Sequence, residues 1–147
     1  IFCLLPKFSK VLLTIGEIDC RIDSGIIKFY KSYGKQLNQI IENTIENYLN
    51  YILKINLNYQ HDIIIQGIPC PNINKENYSE KDVNQLIKVI KKFNNNFKSK
   101  SKEKGFGFLD VHKLTNRGDG FSNNKWHIDS YHLSPGGMLE AWKKHLC

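Results

Sequence analysis

Asp129 and His132 stand three residues apart in the segment WHIDSYHLSP. At that spacing a carboxylate can accept the Nδ1 proton of an imidazole, which fixes the tautomer and leaves Nε2 free as a base. Such a pair lacks only a nucleophile. Ser130 and Ser134 flank His132, and Ser24 lies near the other polar cluster, but none has a GxSxG or GDS context. Nucleophile elbows depend on a strained strand-to-helix turn that these positions do not show. The other cluster is Gly16 to Arg21 (GEIDCR), which follows an apolar run. Arg21 with Glu17 or Asp19 reads equally as an ion pair closing a strand end and as a ligand contact. His112, His127, Asp129 and His132 are of metal-ligand type, yet no helical HExxH geometry supports a metal centre. A metal-dependent hydrolase using this histidine-rich loop stays as a further alternative, beside the leading reading of a site without metal or organic cofactor. The candidate catalytic residues are His132 and Asp129, for which capping and surface roles are the competing reading, and the candidate substrate-binding residues are Gly16, Glu17, Asp19, Arg21 and His127. For His127, beside Trp126, packing is the competing role.

Two hydrophobic periods alternate along the chain, and they define the elements that must hold these residues. Val11 to Ile15 (VLLTI) is a short continuous apolar run ending at Gly16, as for a strand buried on both faces. Leu37, Ile41, Ile45, Tyr48 and Ile52 recur at helical spacing. Ile63 to Ile65 is a second buried strand, closed by Gly67, Pro69 and Pro71. Ser79 followed by Asp82 starts a helix that carries Val83, Leu86, Ile87, Ile90, Phe93 and Phe97 on one face. The lysine-rich run Lys98 to Lys104 reads as a solvated turn, and Phe106 to Val111 as a third strand. Arg117 to Gly120 has the composition of a turn. Ser134 and Pro135 then supply an N-cap and first helical position for a last helix through Trp142, with Leu139 and Trp142 in the core. Strands separated by helices imply a parallel sheet with crossover connections. The expected fold is an α/β three-layer α/β/α sandwich, one domain over residues 1–147, with the site beyond the carboxyl ends of the strands.

With these motifs the sequence resembles the SGNH (GDSL-like) hydrolase family, whose last motif is DxxH before a helix and whose third motif is GxND after a strand. Asp129-Ser130-Tyr131-His132 matches the former, and Leu133-Ser134-Pro135-Gly136 is the family's usual continuation. Gly16-Glu17-Ile18-Asp19 matches the latter except that Ile18 replaces an asparagine that donates to the oxyanion; losing one such donor typically costs about 10²–10³ in turnover. The GEIDCR form resembles a branch of the family found with surface-polysaccharide and glycosyl-transfer genes. The resemblance implies a flavodoxin-like sheet and an ester hydrolase or O-acyltransferase acting on O-acyl esters of a carbohydrate. It makes His132 the general base and Asp129 its orienting partner. The family's serine motif and second-motif glycine are expected upstream of Ile1, so the chain reads as N-terminally incomplete, with an exposed sheet edge. A non-catalytic carbohydrate- or partner-binding domain on the same scaffold is the alternative.

The composition narrows the partners. With 147 residues and 41% hydrophobic content the chain is long enough for one core, and it is not of the disordered class. The formal net charge of +7 comes almost wholly from dispersed lysines, with Arg21 and Arg117 the arginines, which argues against a nucleic-acid reader. Cys3, Cys20, Cys70 and Cys147 form no CxxC pair, so reduced thiols in a cytoplasmic setting are the expectation. No apolar run approaches the ~18 residues of a membrane span. The expected partner is a small-molecule or glycan ester, with neither nucleic acid nor membrane.

Overall fold

The computed structural model describes residues 2–34 and 36–146, so Cys147 lies outside the described residues. Three parallel strands, β1 (Lys10–Thr14), β2 (Asp62–Gln66) and β3 (Gly107–Leu109), are hydrogen-bonded in the order β1-β2-β3. Val11 is in register with Ile63, Thr14 with Gln66, and Gln66 with Leu109. Helices α1 (Gly25–Tyr33) and α2 (Leu37–Asn56) connect β1 to β2, and α3 (Glu80–Glu103) connects β2 to β3. Two helices follow β3, the short α4 (Val111–Thr115) and α5 (Pro135–Leu146).

The pleat of each strand sorts its side chains into two cores. Val11, Ile63 and Ile65 pack with Ile27, Ile41, Ile45, Leu49, Leu86, Ile90, Phe93 and Phe97 of α1 to α3. On the opposite face Ile64 and Leu109 pack with Val111 and Ala141, and Leu12, Met138 and Trp142 cover them. The sheet is thus sandwiched between helical layers, as the alternating periods predict. The capping signals also hold. The Ser79 hydroxyl accepts from the backbone N–H of Asp82 (3.1 Å) and that of Ser134 from Gly137 (3.1 Å), with Pro135 the first residue of α5.

Several boundaries differ from the sequence reading. The Lys98–Lys104 run is the end of α3 and its cap, because Ser101 falls one helical turn beyond Phe97 and is buried. Lys100 (2.5 Å) and Lys104 (3.3 Å) of this run reach Glu46 on α2. The third strand stops at Leu109 because Asp110 turns the chain: its Oδ1 accepts from the backbone N–H of Lys113 and caps α4. Helix α5 runs beyond Trp142 to Leu146, and Leu139 is on its exposed side. Helix α1, nine residues long, has no counterpart in the sequence reading.

Candidate active site

The Asp129–His132 pair is built by one carboxylate that holds a turn and a ring together. Asp129 Oδ1 accepts the backbone N–H of Tyr131 (2.8 Å) and of His132 (2.7 Å), while Oδ2 is 2.7 Å from His132 Nδ1. Those two backbone donors first, and then the imidazole, hold the Asp129 carboxyl down at about 2, so it is ionised throughout the neutral range. A narrow hairpin carries the turn. His127 pairs with Leu133, Ile128 N–H donates to the His132 carbonyl (3.0 Å), and Ser134 N–H donates to the Trp126 carbonyl (2.7 Å). The segment after β2 braces it from below, with Asn72 N–H donating to the Ser130 carbonyl (2.8 Å).

Gly16 begins the second wall at the carboxyl end of β1. Its φ of +88° lies in the left-handed region, and a Cβ there would stand 2.9 Å from the Phe93 ring, so only glycine fits. The chain then presents Glu17, which Arg21 grips through two hydrogen bonds of 2.7 and 2.8 Å. This fork raises the Arg21 pKa. The guanidinium carbon lies 4.9 Å from the centroid of Tyr131, which ties the β1 loop to the Asp129–His132 turn. Burial pushes the Tyr131 hydroxyl up to about 12. Glu17 Oε2 stands 3.7 Å from His132 Nε2.

Beyond β2, the buried Asn94 of α3 fixes the third wall. Its Oδ1 accepts from Ile68 N–H (2.7 Å) and its Nδ2 donates to the Ile68 carbonyl (2.9 Å). A Cβ on Gly67 would lie 2.8 Å from that Oδ1, which is why a glycine follows β2. Between these walls is a cavity of about 300 Å³ at the carboxyl ends of β1 and β2, lined by Thr14, Glu17, Gln66, His132, Leu133 and Met138 among others.

The sequence-derived candidates divide around this cavity. His132 and Glu17 line it, Asp129 orients His132, and Gly16 and Arg21 shape the loop behind Glu17. Asp19 faces elsewhere: it accepts from the Tyr48 hydroxyl (2.5 Å) and borders a separate groove between α1 and α2. Ile18 is 62% exposed and does not line the cavity. His127 is also outside it. Its Nδ1 is 2.9 Å from the hydroxyl of the buried Ser122, and burial is the main influence lowering its pKa. His112 is half-buried on α4, and no group of three or more metal-ligating side chains is assembled among the described residues. The Ser24 hydroxyl donates to the Ile18 carbonyl and that of Ser134 caps α5. No hydroxyl or thiol among the described residues hydrogen-bonds His132. Thr14 and Gln66 were not read as site residues, although each is the polar residue closing or nearly closing the apolar run of its strand.

Fold and site together define an α/β sandwich with an Asp–His pair beside a cavity at the carboxyl end of a parallel sheet. Among solved structures, a phospholipase A1 from Streptomyces albidoflavus NA297 is similar. It matches 94% of this chain and 67% of its own length, with a TM-score of 0.53 and 16% identity, a likeness of fold. No protein-family model matches the chain, and no curated protein matches it in sequence. Among the described residues no helix is long and apolar enough to cross a membrane.

Proposed function

We propose that residues 1–147 form an SGNH-like domain of an ester hydrolase or O-acyltransferase acting on O-acyl esters of a carbohydrate. The observation that carries this reading is the 2.7 Å contact between Asp129 Oδ2 and His132 Nδ1, with Nε2 beside the cavity. A serine hydroxyl attacks the acyl carbonyl, His132 Nε2 takes the hydroxyl proton, and Asp129 stabilises the imidazolium. The proton then passes to the departing alkoxide, and water or an acceptor alcohol releases the acyl group by the reverse path. The serine comes from a segment beside β1, whose second edge pairs with no strand among the described residues. Leu133, Met138 and Ile68 supply an apolar wall for the acyl group. Two buried free thiols, Cys20 and Cys70, accord with a cytoplasmic setting.

The native polypeptide carrying this chain, treated with a fluorophosphonate, tests the reading. Covalent labelling of a serine that is lost in His132→Ala supports it, and unlabelled native protein overturns it.

The proximity of Glu17 Oε2 to His132 Nε2 favours a second reading, in which the scaffold binds a carbohydrate or partner without catalysis. Glycan-array binding without ester hydrolysis is its signature.

A further inference from the structure

Thr14 and Gln66 close adjacent strands in register, Thr14 of β1 opposite Gln66 of β2. Strand parity puts both on the sheet face of Leu12 and Ile64, toward α5, and both line the cavity that His132 lines. Much of the remaining wall there is apolar, from Ile15, Ile68, Leu133 and Met138. Neither polar group is satisfied within the protein. Gln66 Oε1 is buried with no donor, and Gln66 Nε2 and the Thr14 hydroxyl make no hydrogen bond among the described residues. The unpaired, shielded Oε1 costs free energy, and a ligand that draws the Gln66 side chain round to present Oε1 together with Nε2 to the cavity recovers it.

A carboxamide carries one donor end and one acceptor end, and rotation about its last side-chain bond exchanges them. Its best complement is a ligand with an acceptor and a donor side by side. A plain ester has acceptors alone, whereas an ester with a hydroxyl on the neighbouring carbon has both. We infer that Gln66, assisted by Thr14, is the specificity-determining group of the cavity and selects esters of polyhydroxylated alcohols over esters of simple alcohols. The inference rests on the ester-transfer reading and deepens it by naming the residues that recognise the alcohol.

Titration of the ¹⁵N-labelled protein with glyceryl monoacetate and with propyl acetate tests this without requiring turnover. The monoacetate is expected to shift the Gln66 side-chain NH₂ signals saturably and to bind at least about tenfold more tightly than propyl acetate, the worth of roughly one hydrogen bond. Gln66→Leu is expected to bring the two ligands within about twofold, and dispersion of its other amide signals shows that it is folded. Thr14→Val, at the exposed end of β1, is a second variant expected to narrow the preference. Equal binding of both ligands by the native protein, no shift at the cavity with either, or a preference retained in both variants overturns the inference. Loss of the preference leaves fluorophosphonate labelling intact, and absence of labelling leaves the titration readable, so the two failures are distinct.

Discussion

Glu17 Oε2 stands 3.7 Å from His132 Nε2, the ring nitrogen that Asp129 leaves unpaired, while both oxygens of the same carboxylate are bonded to Arg21. A base must come within about 2.6–3.2 Å of the hydroxyl it activates, and Glu17 stands just outside that shell. Arg21 is the group that holds it there. The loop after β1 therefore sets access to the imidazole as well as shaping the cavity.

Arg21→Ala releases Glu17 to close on Nε2, and turnover is expected to fall about tenfold, one charge-assisted hydrogen bond's worth. Adding Glu17→Gln in the same chain removes the competing carboxylate and is expected to restore most of the rate. Steady-state kcat for the two variants checks this, and a double variant no faster than Arg21→Ala contradicts it.

Asp129→Asn keeps an oxygen for the Tyr131 and His132 N–H groups but replaces the ionised partner of Nδ1 by an amide. The turn is expected to persist, with Tm nearly unchanged, while kcat drops about 10³–10⁴-fold because the tautomer and the imidazolium lose their support. Thermal melts and kinetics on one preparation separate the two effects.

The pH dependence of the turn follows from the same carboxylate. Its pKa is depressed to about 2 in the folded chain, against roughly 3.9 unfolded. The contribution is fully present above the unfolded value and is lost as pH falls through the folded one. Hydrogen-exchange protection of the Tyr131 and His132 amides is expected to hold down to about pH 4 and to disappear between about pH 4 and 2. Both side chains of the pair are more than half exposed, so the effect is confined to the turn.

Asn94→Ala leaves the buried Ile68 N–H and carbonyl without their partners. A loss of about 2–6 kcal/mol is expected, from two orphaned backbone groups at roughly 1–3 each. Urea unfolding measures it.

The long periodic elements were legible in the sequence because their signals are local. Ile63–Ile65 lies within β2, and the stripe from Ile41 to Ile52 marks α2, with Leu49 taking the buried place read for Tyr48. Tyr48 lies half-buried instead, with its hydroxyl on Asp19. The end of α3 was hidden by lysines and serines whose apolar stems and small side chains still continue the face begun by Phe93 and Phe97. Asp110 looked like a strand residue because its cap depends on a backbone N–H three residues on. The spacing of Asp129 and His132 was readable because both belong to one turn. Glu17 beside His132, and Thr14 beside Gln66, come together only through strand order and register, which no local pattern encodes.

In the proposed acyl-transfer reaction Asp129 steers His132 to serve as the general base. The most direct test of this role is kcat/KM for p-nitrophenyl acetate in the native polypeptide and in its His132→Ala variant. A loss of at least about 10³-fold is expected, as for removal of one member of a catalytic triad. Activity unchanged by the substitution would contradict it.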